Sequence, residues 1–286
     1  QNSIHLMKLI AVSGSTKFDW RIVANGETVD SFESNGLNPF FHSQQHVVEI
    51  LEELEPIHIH QSAISEVYIY GAGCGSKSLQ RIVRNAVYEI IPKAHVLVNL
   101  DIVASALATY EGVPSISCIL GTGSNSCYFD GDIVRQEVPA LDYVLGDEGG
   151  GSYYGKILLS SYLHNRLPQD LHQSFHETYH LSKEDILERI YMQPYANVYL
   201  ASFMTFIQGN KEHGFISDMI TTGMKLFLET FVIPYHNYNK IKTHFTGSIA
   251  FYFKEELKTV ARSLDINVGK FLKEPIDGLV KYHLKK

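Results

Sequence analysis

The sequence predicts an α/β protein in two halves, and three observations carry that reading. Short apolar strands alternate with helix-length amphipathic stretches along most of the chain. The pattern strand, glycine turn, strand occurs at 8–24 and recurs at 115–138, a repeat of architecture rather than of sequence. At 286 residues the chain is also long enough for two cores.

The elements follow in order. KLIAV (8–12), FDWRIV (18–23) and TVDSFES (28–34) read as antiparallel strands, because Asn25-Gly26 between alternating apolar runs is a strong hairpin signal. HVVEILEEL (46–54) has helical periodicity, and Pro56 ends it. EVYIYGAGC (66–74) is a strand running into glycines, followed by a helix from Ser76 to Ile90. HVLVNL (95–100) is a further strand, and DIVASALATY (101–110) a helix opening on an aspartate. SISCIL (115–120), SCYFD (126–130) and IVRQEV (133–138) read as the strands of the second half. Beyond Gly155 helices are expected near 155–166, 182–191, 195–208 and 215–231. A late strand, IKTHFTG (241–247), leads into a helix from Ser248 to Ser263. The expected division is 7–110 and 111–272, with a C-terminal helix within 273–286 returning to the first half.

Composition narrows the function. The chain is 45% hydrophobic and 19% charged, as ordinary globular proteins are. A net charge of -7 argues against nucleic-acid or anionic-membrane partners, which need a basic surface. No apolar run approaches the roughly 18–20 residues that span a bilayer. Met7 before KLIAV reads as a natural start with no leader, and three cysteines make no disulfide framework. A cytoplasmic location is expected.

Two turns carry the chemistry. Ser13-Gly14-Ser15-Thr16-Lys17 joins two strands with glycine and small hydroxyl residues, which let backbone N–H groups converge on an anion. Gly121-Thr122-Gly123-Ser124-Asn125 has the same chemistry in the same slot of the second half. Either turn alone reads as a tight hairpin; the pair points to the phosphates of a nucleotide. Thr246-Gly247-Ser248 is a strand end entering a helix, suited to close approach by a base or ribose and equally to a plain N-cap at Ser248.

Acids complete the pattern. Asp101, between a strand and a helix, suits an N-cap. It also suits a general base for an attacking hydroxyl, a role typically worth about 10²–10⁴-fold. Asp147 and Glu148 precede three glycines and offer acceptors to sugar hydroxyls, or else form a solvated loop.

Taken in order, SGSTKFDW (13–20), YGAGC (70–74), the Asp101 helix, CILGTGSNS (118–126), LGDEGGG (145–151) and TGSIA (246–250) resemble the BadF/BcrA-type ATPase family. The likeness is to its N-acetylglucosamine and glucosamine kinase branch. It implies two ribonuclease-H-like domains, the actin-like ATPase fold, around a central nucleotide cleft. It implies ATP and Mg2+ as cofactors and an amino sugar as substrate, phosphorylated on its 6-hydroxyl. By the same resemblance Gly14, Ser15, Thr16 and Lys17 form a first phosphate motif, and Gly121, Thr122, Gly123 and Ser124 a second. Gly247 and Ser248 match an adenosine motif, Asp101 the catalytic base, and Asn38, Asn125 and Asp147 the sugar contacts. One position departs from the pattern: Val12 stands where the family carries a metal-holding acid, and valine offers no oxygen to a hard cation.

Weaker signals remain. Cys118 and Cys127 flank the second turn and are expected as reduced buried thiols. His58-Ile59-His60 alternates as strand neighbours would, without a third ligand, so no metal site is expected there. Surplus aromatics across 190–236 are compatible with a homodimer face. Two rival functions are an ATPase coupled to a partner protein and a non-catalytic sugar or nucleotide sensor.

Overall fold

The structure, a computed structural model, describes residues 6–13 and 17–285. Gly14, Ser15 and Thr16 of the first turn lie outside the described residues. The chain divides into two compact units, residues 1–111 with 274–286, and residues 112–273.

The first unit begins with β1 (Met7–Ser13), β2 (Lys17–Ala24) and β3 (Glu27–Asn35). The β2–β3 hairpin closes on Asn25 and Gly26, both with positive φ (53° and 83°), as a primed turn requires. Then come α1 (Gln44–Glu52), α2 (Glu55–His60), β4 (Ile64–Gly71), α3 (Lys77–Ile90), β5 (His95–Leu100) and α4 (Asp101–Thr109). Sheet order is β3-β2-β1-β4-β5, with β4 and β5 parallel to β1. One face buries Leu9, Ala11, Phe18, Trp20 and Ile22 with Val47 and Leu51 of α1 and Val83 and Val87 of α3. On the other, α4 and the terminal helix Ile276–Leu284 pack together so closely that a Cβ on Gly278 would sit 2.7 Å from the Ala108 carbonyl oxygen. Tyr70 Oη and His283 Nε2 share a hydrogen bond of 2.9 Å, and Arg21 pairs with Asp277 at 3.4 Å.

The second unit opens with β6 (Ser115–Leu120), β7 (Ser124–Phe129) and β8 (Val134–Arg135). Helices α5 (Asp142–Leu145), α6 (Gly151–Leu163), α7 (Gln169–Tyr179), α8 (Lys183–Tyr191), α9 (Ala196–Ser202), α10 (Met204–Gly209) and α11 (Gly214–Phe231) follow. The unit ends with β9 (Lys242–Thr246), α12 (Ser248–Tyr252), α13 (Lys254–Ser263) and β10 (Asn267–Leu272). Sheet order is β10-β9-β6-β7-β8, antiparallel on the β7 side of β6 and parallel on the β9 side. Phe203, Phe227, Phe231 and Tyr235 of the aromatic stretch lie in this unit's core.

Several local expectations change. The strand predicted over 133–138 shrinks to Val134–Arg135: before it Asp130 Oδ1 accepts the N–H groups of Asp132 and Ile133, and after it the Glu137 N–H goes to the Tyr235 hydroxyl instead of a neighbouring strand. His58 and His60 are helical: Pro56 starts α2 instead of merely ending α1, since proline suits a first helical turn. The predicted helix at 195–208 is two helices meeting at Phe203. Cys118 and Cys127 project to opposite faces, because Ser117 stands opposite Cys127 and Cys118 opposite Ser126. No helix among the described residues is long and apolar enough to cross a membrane.

Candidate functional site

In the second unit, β6 delivers a glycine turn to the start of α6. The turn closes on a Gly121 N–H to Gly123 carbonyl bond of 3.0 Å. Gly151 and Ser152, at the start of α6, donate their N–H groups to the carbonyls of Gly121 (2.8 Å) and Thr122 (2.9 Å). These donors have no partner inside their own helix, so the turn satisfies them while having its carbonyls drawn toward the helix. Two glycines allow that proximity. A Cβ on Gly150 would stand 2.8 Å from the Gly123 carbonyl carbon, and Gly149 has φ 72°.

Asp147 fastens the turn from below. Its Oδ1 accepts the Ser124 N–H at 3.1 Å and its Oδ2 the Ser152 hydroxyl at 3.2 Å. The residue takes φ 60°, a conformation aspartate tolerates better than most. It is 7% exposed, and burial pushes its carboxyl up to about 6 against the lowering effect of those hydrogen bonds.

What remains unsatisfied defines the chemistry. The N–H groups of Thr122 and Gly123 have no acceptor among the described residues, and the buried Ser124 hydroxyl has no partner. A Cβ on Gly121 would meet nothing within 4 Å. Free amides and open space beside a helix start form an anion cradle fit for nucleotide phosphate. Gly247, at φ 108°, lies against this turn, where a Cβ would collide with the Leu120 carbonyl. Gly247, not Ser248, is the cap of α12, and Ser248 is its first residue. Asn125 stands one residue beyond the turn on β7. The second unit thus brings together Gly121, Thr122, Gly123, Ser124, Asn125, Asp147, Gly247 and Ser248.

In the first unit, Asp101 is the first residue of α4 rather than its cap, and its Oδ1 accepts the Ile102 N–H at 2.8 Å. Asn38 rests on the loop that follows β4. A Cβ on Gly73 would overlap Asn38 Oδ1, and that oxygen accepts the Phe40 N–H at 3.0 Å. Buried Cys74 of the same loop has its thiol pushed up to about 12 by burial and, secondarily, by the Asp101 charge. The 70–74 loop thus touches Asn38 and lies within electrostatic range of Asp101. Buried Ser13 donates its hydroxyl to the Leu37 carbonyl at 3.2 Å, holding the end of β1 beside them.

Lys17, expected at the first phosphate turn, has three acidic partners in its own unit. Its ammonium pairs with Glu33 (2.9 Å), Glu274 (3.0 Å) and Asp19 (3.3 Å). Burial opposes that charge, but the hydrogen bonds that the ammonium donates to Glu33 and Glu274, and the Asp19 charge, hold its pKa above the ordinary value. An open depression of about 460 Å³ beside Lys17 and Glu33 excludes Asn38 and Asp101 and is not this site.

No group of three acidic, histidine or cysteine side chains among the described residues could hold a metal. Val12 faces Asp19 across the β1–β2 ladder and adds no oxygen. The turn thus fits a nucleotide phosphate; a Mg2+ ion that needs only one or two carboxylates and the phosphates themselves would not require such a cluster.

Sequence reasoning passed over Ser152, whose hydroxyl donates to Asp147, and Gln136, whose Nε2 donates to Asn125 Oδ1 at 2.9 Å. Ser152 follows the glycine run directly, a position where a small hydroxyl serves a helix start. Gln136 carries no such signal.

Two α/β units of these topologies define the two-domain actin-like fold of the sugar kinases. No family model and no curated protein matches the chain. Among solved structures, a candidate N-acetylglucosamine kinase of Porphyromonas gingivalis is 35% identical over 98% of this chain and 99% of its own, with a TM-score of 0.93. The chain belongs to the same family as that protein. A candidate N-acetylglucosamine kinase of Chromobacterium violaceum shares the fold at 13% identity, covering 98% and 99% of the two chains with a TM-score of 0.74. So does a ROK-family glucokinase of Streptomyces griseus, in complex with glucose and AMPPNP, at 14% identity, 96% and 97% coverage and a TM-score of 0.54.

Proposed function

We propose that this protein is an ATP-dependent sugar kinase of the BadF/BcrA type, transferring the γ-phosphoryl group of ATP to the 6-hydroxyl of an amino sugar such as N-acetylglucosamine. The observation that carries the reading is the Gly121–Ser124 turn, with two free amides and a buried unpartnered hydroxyl beside a helix start. Family membership with a candidate N-acetylglucosamine kinase supports the choice of sugar.

In this reading Thr122, Gly123 and Ser124 hold nucleotide phosphate, and Asp147 keeps their donors aimed. Gly247 and Ser248 admit the adenosine. Asn38 and Asn125 orient the sugar by hydrogen bonds. Asp101 accepts the 6-hydroxyl proton as that oxygen bonds to the γ-phosphorus, while the bond from the γ-phosphorus to the bridging oxygen breaks and ADP leaves. No described residue is assigned to a metal.

Val12, where an acid was expected, favours one second reading, a sensor that binds sugar or nucleotide without turnover. ADP release measured across hexoses, amino sugars and N-acetyl amino sugars separates the two. A sugar-dependent rate is expected; its absence with every sugar overturns the kinase reading.

A further inference from the structure

A carboxamide can face either way, and its direction decides whether it donates or accepts. For Asn125, backbone atoms fix that direction. The Ser126 N–H, which can only donate, lies 2.8 Å from Asn125 Oδ1. Gln136, just past β8, places its Nε2 2.9 Å from the same oxygen and 3.3 Å from the Ser126 carbonyl. A carbonyl can only accept, so the NH₂ of Gln136 must face the strand. Two donors then hold the Asn125 oxygen toward Ser126 and Gln136, and its NH₂ points away with no acceptor among the described residues. The Gln136 segment is itself seated on Tyr235, which is 1% exposed. The Tyr235 hydroxyl accepts the Glu137 N–H at 3.4 Å and bonds the Ser126 hydroxyl at 3.1 Å.

We propose that Gln136 is a positioning residue that makes Asn125 an obligate hydrogen-bond donor, matched to an uncharged acceptor oxygen on the sugar. A hydroxyl or an N-acyl carbonyl meets that requirement. An ammonium group has no lone pair and does not. The inference rests on reading Asn125 as a sugar contact.

The test is a donor series at position 136, read by calorimetric binding of N-acetylglucosamine in the presence of AMPPNP and by KM for sugar and ATP. Gln136→Glu is nearly isosteric but carries no donor at neutral pH, so the new carboxylate repels Asn125 Oδ1 and favours a flipped amide. It should weaken N-acetylglucosamine binding about ten-fold or more. Gln136→Leu, which removes the donor without adding charge, should fall between Gln136→Glu and wild type. Gln136→Lys keeps a donor and should stay within about three-fold of wild type. AMPPNP affinity and Tm should be unchanged throughout. Wild-type affinity in Gln136→Glu, equal losses in Gln136→Lys and Gln136→Glu, or no sugar binding by the wild-type protein would overturn the inference. If the wild-type protein binds N-acetylglucosamine and the series behaves as expected but no ADP is released, this inference stands and the kinase reading falls.

Discussion

Asp147 lies beneath Gly123 and accepts the Ser124 backbone N–H at 3.1 Å, so one buried carboxylate sets the shape of the glycine turn. Its charge is costly there. Burial raises the folded-state value from 3.8 to about 6, so between those limits the folded protein holds a proton that the unfolded chain has lost. The destabilisation is absent below the lower value, grows through the window and is complete above the upper one. Asp147→Asn keeps an acceptor for Ser124 and lets the Ser152 hydroxyl turn to accept in place of donating. Melting curves should show this variant gaining on wild type by up to about 3 kcal/mol between pH 4 and pH 7.5. A gap that does not change with pH contradicts the assignment.

Gly121 and Gly123 separate shape from function. A Cβ at Gly123 would stand 2.5 Å from Asp147 Oδ1, whereas one at Gly121 meets open space. Gly123→Ala should lose about 1–3 kcal/mol of stability and weaken nucleotide binding with it. Gly121→Ala should melt as wild type does yet bind AMPPNP at least about ten-fold more weakly, because the added methyl occupies the anion's approach. Undiminished AMPPNP affinity in Gly121→Ala would remove the turn from phosphate binding.

Lys17 can be tested for a phosphate role against its role in the acidic cluster. In Lys17→Met, three carboxylates face one another without their cation, but the lysine is 38% exposed and solvent screens the pairs. The expected loss is no more than about 1 kcal/mol near neutral pH. The raised lysine value leaves its contribution complete below 10.5 and removes it as pH rises through the folded value. On the acid side Glu33, whose value hydrogen bonding to Lys17 lowers, gives up its share as pH falls through its folded value. The variant should therefore approach wild type near pH 4 in thermal melts. AMPPNP affinity should stay within about three-fold; a larger loss would return Lys17 to the phosphate.

The readable parts of the sequence were those whose signal is local. Asn25-Gly26 forces positive φ and so announced its hairpin, and the apolar run Ser115–Leu120 became β6 without change. β10 escaped because NVGKFL looks polar and broken. Its Gly269 is there for distant His244, whose ring would overlap a Cβ at that position. The same distinction holds in the site. Glycine turns are legible because a backbone that approaches an anion needs them. Gln136 is not, since its role exists only once Ser126 and Asn125 of β7 lie beside it. The Lys17 cluster likewise needs Glu33 and Glu274, which only the folded unit supplies.

The most direct measurement follows ADP release from ATP, with and without N-acetylglucosamine, in the wild-type protein and in Asp101→Asn. The account predicts sugar-dependent release by wild type and a fall of about 10²–10⁴-fold in Asp101→Asn, with AMPPNP affinity unchanged. Release that ignores the sugar, or that survives intact in Asp101→Asn, would contradict it.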